Sequence, residues 1–246
     1  MRDLPAGDYS LRADSYGSPE CNPSGALIGN YPVSYFGGTL ARDTIVRRQD
    51  LDVVSDVAIP SGMTLTILPG GGLTFPEGTK LEVNGCLAVT GQEGSPVTLR
   101  GAVESPGSWT GIVLGNDGAA RVEMRNATVL HAVCAIQHVD GPTADLVSLH
   151  GVTLTNFSVA GVWLCPFWAD SVGVAEFDSV TIGMRSAPYG LWVDRVGTDE
   201  SYNVMLRNVF VSGRNFDSPN VYGIVVNTTG TDGDHSPELH DVWVQD

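Results

Sequence analysis

Lysine is almost missing from this chain. Lys80 stands alone, and Lys and Arg together number 13 against 28 Asp and Glu, a net charge of −15 over 246 residues. A nucleic-acid binder needs clustered cations to neutralise phosphates, so no nucleic-acid partner is expected. Only 17% of the residues are charged, below the roughly 25% of ordinary globular domains. No apolar run approaches the ~18 residues of a membrane span; the nearest, GVWLCPFWA at 161–169, is broken by Pro166. The start, MRDLPAGDYS, lacks the apolar core of a signal peptide, which leaves a cytoplasmic protein or a mature or excised piece of a longer one. The four cysteines, Cys21, Cys86, Cys134 and Cys165, have no CxxC or Cys/His metal spacing. They are compatible with three disulfide pairings or with free thiols.

Helix signals are also nearly absent. In their place stand short β-branched runs punctuated by Gly, Asn, Asp and Ser. From residue 122 these runs repeat as VEMRNATV, VSLHGVTL, AEFDSVTI, VMLRNVFV and PELHDVWV. Aligned on Asn126, Gly151, Ser179, Asn208 and Asp241, they recur at steps of 25, 28, 29 and 33 residues. A second series, AIQH (135–138), GVWL (161–164), GLWV (190–193) and GIVV (223–226), keeps step at 26, 29 and 33. Two phase-locked series with variable spacers describe a coiled solenoid whose loops absorb the length differences.

Each period then holds three short strands. The first two meet at a one-residue turn, where Asn, Gly, Ser or Asp suits a left-handed or locally hydrogen-bonded backbone. Alternation points Val122, Val147, Ala175 and Val204 inward, followed two positions later by Met124, Leu149, Phe177, Leu206 and Leu239. Ala127, Val152, Val180, Val209 and Val242 open the next inward column. Parallel strands joined this way coil right-handed by the general crossover preference. Upstream, 56–75, 80–89, 95–101 and 108–114 have the same texture, but residues 97–121 have no unique register. At ~28 residues per rung, residues 51–246 make about seven rungs.

The stretches SGMTLTILPG (61–70), VNGCL (83–87) and WTGI (109–112) match an SG-x-TLTI-x-PG signature, a V-x-G-x-L element and a W-x-GI element. On these the chain resembles secreted bacterial right-handed parallel β-helix proteins of the pectin-lyase-like superfamily, over roughly 38–246. The resemblance implies the fold and an extracellular or cell-surface location, and it implies little about activity, because that superfamily holds lyases, hydrolases, epimerases and adhesins. Residues 1–37 read as an irregular N-terminal cap or linker, or as the remnant of a preceding β-sandwich. The 38–246 solenoid is expected to continue beyond Asp246, since an uncapped end exposes strand edges that natural proteins avoid.

The resemblance places catalysis on the outer face of the GVWL/GLWV series. There the outward column reads Val113, Gln137, Trp163, Trp192 and Val225. It lacks the carboxylates of two-carboxylate hydrolysis or of calcium-assisted proton abstraction, which argues against an enzyme. Trp163 and Trp192 are expected to stack about 4.8 Å apart, with Gly161 and Gly190 leaving bare backbone beside them. Together with Gln137 and Trp168 they form a candidate sugar platform; the alternative is that the 165–174 loop covers the pair through Phe167 or Trp168. On the first sheet, Arg125, His150, Asp178, Arg207 and His240 form one outward column. Glu123, Ser148, Glu176, Met205 and Glu238 form the next. His150 and Asp178 read either as an acid/base pair or, as is commoner, as cross-strand charge pairing. Asp232 and Asp234 resemble half a calcium loop, so Ca²⁺ is the one candidate cofactor, against the plainer reading of a solvated turn. Asn126, Asn156 and Asn227 head N-x-S/T triplets, which the bacterial resemblance argues against as glycan acceptors.

Three functions follow as expectations. The first is a secreted or surface module with a structural, adhesive or glycan-binding role. The second is a polysaccharide lyase or glycoside hydrolase with its site in loops or missing rungs. The third is a phage or pilus-tip fibre module, stacking or trimerising through an open C-terminal end. Register also separates Cys134 from Cys165 by five positions, beyond the ~7 Å Cα limit of a disulfide.

Overall fold

The computed structural model describes residues 35–47, 50–115, 120–138, 146–164, 173–185, 187–193, 202–213, 221–226 and 238–245. Among them are nineteen β-strands and no helix, and every strand-to-strand ladder is parallel. The strands fall into three stacks. One runs through Thr64–Ile67 and Cys86–Thr90 into the first half of Arg121–Leu130, then through Leu146–Thr155, Gly173–Asp178, Tyr202–Ser212 and Glu238–Gln245. A second takes Gly72–Phe75 and Val97–Gly101, then the second halves of the same long strands, with Thr181–Gly183 between them. The third holds the second half of Leu51–Ile59, then Lys80–Val83, Gly111–Leu114, Cys134–His138, Ala160–Leu164, Tyr189–Val193 and Tyr222–Val226, and Thr44–Val46 and the first half of Leu51–Ile59 begin the other two. Each strand pairs with its counterpart one repeat later, as a parallel β-helix requires. Tyr35–Thr39 already pairs in parallel with Leu51–Ile59.

From Arg121 onward the first two stacks meet at a one-residue corner that is left-handed at each of five repeats, whereas the two turns before it use longer corners, 68–71 and 91–96. Asn126, Gly151, Ser179, Asn208 and Asp241 have φ of 43°, 64°, 58°, 50° and 51°. Only such a residue turns the chain sharply without breaking either ladder, which is why the repeat keeps Asn, Gly, Ser or Asp there. Asn126 Nδ2 also donates to Gly91 O at 3.2 Å, tying the corner to the turn below.

Inside the tube the expected columns are filled. Val122, Met124, Ala127 and Val129 are buried beneath Val147, Leu149, Val152 and Leu154, and the series continues through Ala175, Phe177 and Val180 to Val204, Leu206 and Val209. Leu239 departs from the expectation. It is in register with Leu206 but 52% exposed, because no described strand stacks over Glu238–Gln245; Val242 is half-buried for the same reason. An inward position is buried only when a further turn lies on it.

Of residues 97–121, without a unique register in the sequence, 116–119 lie outside the described residues and the stretch up to Leu114 is placed by Trp109. Its ring is fully buried, stacked on Phe75 at 4.2 Å with planes 10° apart, and its Nε1 donates to Leu130 O at 2.8 Å. That indole closes the corner before Gly111–Leu114 and puts Val113 in the outward column. Among the described residues no helix is long and apolar enough to cross a membrane.

Candidate functional site

The third stack presents the outward column anticipated from the repeat. Val113 pairs with Gln137, Gln137 with Trp163, Trp163 with Trp192, and Trp192 with Val225. Val162, Leu164, Leu191 and Val193 are buried between them, so both indoles leave the tube on the outer face. They are half-buried, with ring centroids 6.2 Å apart and planes 28° apart. The column extends upstream to Glu82, a carboxylate that the repeat did not bring into view. Lys80 Nζ holds it at 2.6 Å and Asn84 Nδ2 donates to it at 3.2 Å, which together keep the Glu82 carboxyl below its ordinary range.

Two further aromatics complete the strip. Tyr189 meets Trp163 at 5.4 Å and Trp192 at 4.7 Å, edge-on at 72° and 84°. Tyr222 stacks on Tyr189 at 5.9 Å and meets Trp192 edge-on at 5.9 Å. Perpendicular contacts of this kind set the positive edge of one ring on the negative face of another, and they fix the tilt of all four. Parity conceals Tyr189, which shares its phase with inward Leu191. The signal that could have found it is the Tyr-Gly pair opening both YGLWV and YGIVV.

The glycines have a different role from the one expected. Gly161 and Gly190 are buried, and they do not leave bare backbone beside the rings. A Cβ on Gly161 would lie 2.7 Å from Gly190 O and 2.8 Å from Ile182 Cγ2; on Gly190 it would lie 2.3 Å from Gly223 O and 2.8 Å from Val211 Cγ1. They allow successive turns to close up at the corner where the third stack begins. The expected cover, Phe167 and Trp168, lies outside the described residues, as do Asp232 and Asp234. The Nε1 atoms of Trp163 and Trp192 are buried without a hydrogen-bond acceptor among the described residues. Every remaining side-chain atom of an indole is carbon, so what each ring shows to solvent is hydrocarbon.

On the first stack, the outward column Arg125–His150–Asp178–Arg207–His240 is in register, and so is its neighbour Glu123–Ser148–Glu176–Met205–Glu238. His150 Nδ1 lies 3.1 Å from Asp178 Oδ2. Asp178 Oδ1 accepts from Asn208 Nδ2 and from Ser179 Oγ, each at 3.1 Å. Asn208 chiefly, then Ser179 and His150, hold the Asp178 carboxyl below its ordinary range. Both members of the pair are about half exposed, with side-chain accessibilities of 51% and 42%, and the arrangement is that of polar side chains paired across turns. Cys134 is a free thiol, pushed up to about 11 by burial, so it forms no bond to Cys165. Among the described residues no group of three or more His, Cys, Asp or Glu is placed to hold a metal ion. No protein-family model, curated protein or solved structure matches the chain.

Proposed function

We propose that the chain is a right-handed parallel β-helix of the pectin-lyase-like kind, with seven complete turns, acting outside the cell or at its surface as a glycan-binding module. Three strand stacks, each advancing one repeat at a time, support the coil. Its hand follows the preference of parallel crossovers. The observation that carries the function is the strip of Trp163, Trp192, Tyr189 and Tyr222 on the outer face. Aromatic side chains held rigidly by one another offer a sugar ring apolar contact at little entropic cost. In the same column the carboxylate of Glu82 is engaged by Lys80, which leaves Gln137 as the polar group nearest the rings along the stack.

A glycan array read together with an assay for unsaturated sugar products tests this reading. Retention of a glycan without product supports a binding module. Turnover would overturn it in favour of a polysaccharide-active enzyme, and three-fold assembly with no glycan retained would favour a fibre module.

A further inference from the structure

We infer that the last described turn is a self-association surface, on which a second copy of this chain seats end to end about a two-fold axis. The inference is independent of glycan binding. Three observations carry it.

The first is an open end. Leu239, Val242 and Val244 are in register with Leu206, Val209 and Val211, all of which are buried. Leu239 and Val244 are nevertheless 52% exposed, and Val242 is half-buried. Ile224 and Val226, the last inward pair of the third stack, are half-buried too. Among the described residues the main chain of Glu238–Gln245 pairs on one side only, with Tyr202–Ser212. This end therefore shows both hydrocarbon and a free strand edge, which is a template for another strand.

The second is the contrast with the other end. There the first inward residues, Leu40, Val46 and Val53, are all buried, at 8%, 4% and 4% exposure. Identical chains with one open end meet head to head. Head-to-tail stacking, which would propagate as a fibre, has no second face to use.

The third is the pattern of the strand itself. The left-handed corner at Asp241 shifts the alternation by one, so Leu239, Val242 and Val244 face inward while Glu238, His240, Trp243 and Gln245 face outward. Read backwards, this pattern is nearly unchanged. A two-fold axis through the corner lays a second copy antiparallel on the first. Leu239 then lies against the partner's Val244, His240 against the partner's Trp243 and Glu238 against the partner's Gln245. Apolar side chains meet inside the tube, no two carboxylates stand directly opposite, and the axis makes each contact twice.

Sedimentation and light scattering of the whole chain provide the test. Sides of about five residues, at ~3.3 Å each, enclose an end well below the ~800 Å² per partner of a standard interface, so a dimer that dissociates on dilution is expected. Leu239→Arg and Val244→Arg should each raise the dissociation constant roughly tenfold or more with the melting temperature retained, since neither side chain is buried within one chain. A mixture of Leu239→Cys and Val244→Cys chains should form an intermolecular disulfide under mild oxidation that the unsubstituted chain does not form. Leu239→Cys alone should not, because the axis sets its two thiols about five residues apart along the strands. A monomer at every concentration, a trimer or open-ended assembly, or a dimer that both arginine variants leave intact would overturn the inference. So would a disulfide formed by Leu239→Cys alone. All these outcomes leave glycan binding at the strip untouched.

Discussion

Replacing Gly151 by Ala tests the corner on which the repeat is built. At φ 64° an L-residue is strained by about 1–2 kcal/mol. The new Cβ would also lie 2.8 Å from Asn126 Oδ1, so the Asn126 amide must swing away and give up its 3.2 Å bond to Gly91 O. That bond is worth about 1 kcal/mol. The sum is about 2–3 kcal/mol, read as a lowered urea midpoint at unchanged slope. A double-mutant cycle separates the two parts. With Asn126→Ala already in place there is no amide to displace, and Gly151→Ala should then cost only the backbone strain, about 1–2 kcal/mol. Ser179→Gly should act in the opposite sense or be neutral: it relieves strain at φ 58°, offset by the extra freedom of glycine in the unfolded chain. If Gly151→Ala costs less than about 0.5 kcal/mol, or costs the same in both backgrounds, the crowding argument fails.

Trp109→Ala should cost about 3–5 kcal/mol by emptying the space stacked on Phe75. Trp109→Phe should cost about 1–3 kcal/mol, chiefly for the orphaned Leu130 carbonyl, and urea unfolding of both variants orders the two effects. The Cys134 thiol, buried and raised to about 11, should resist maleimide near neutral pH in the folded protein and react once denatured, as site-resolved mass spectrometry will show. The Asp178 carboxyl is lowered in the folded state, so its contribution is present above the unfolded carboxylate value of about 4 and is lost as pH falls through the folded one. Because the side chain is 42% exposed, the stability gap between wild type and Asp178→Asn should be under about 1 kcal/mol at neutral pH and should close on acidification; a gap that widens in acid would contradict the sign.

Much of the fold was legible because the repeat makes one local solution visible several times. Asn126, Gly151, Ser179, Asn208 and Asp241 are four different residue types, yet all tolerate φ of 43° to 64°, and that common tolerance identifies the corner. Parity then gave the outward Trp163 and Trp192 directly. Parity failed where the backbone leaves the strand. Tyr189 precedes the close approach at Gly190, so alternation no longer reports its direction, and its contacts with both tryptophans could not be read from phase. The partner of Trp109 was hidden for another reason: Phe75 lies 34 positions earlier, and only the stacking of turns brings the rings together. Leu239 shows that burial belongs to the neighbouring turn as much as to the residue's own pattern.

The single-residue corner that recurs from Asn126 onward has a bearing on how such a chain changes over generations. From Asn126 to Cys134 the chain takes 8 residues, and from Asn208 to Tyr222 it takes 14, yet both corners and both third-stack strands stay in register. Over these repeats the length differences are thus confined to outlying connections, while the hinge between the first two stacks keeps a single residue; only in the earlier turns, at 68–71 and 91–96, is that hinge longer. A lineage can lengthen the rim beside Trp163 and Trp192 without moving either indole, because each turn answers only to the ones above and below it. Connections of this kind can therefore be edited one at a time, with the aromatic strip inherited intact.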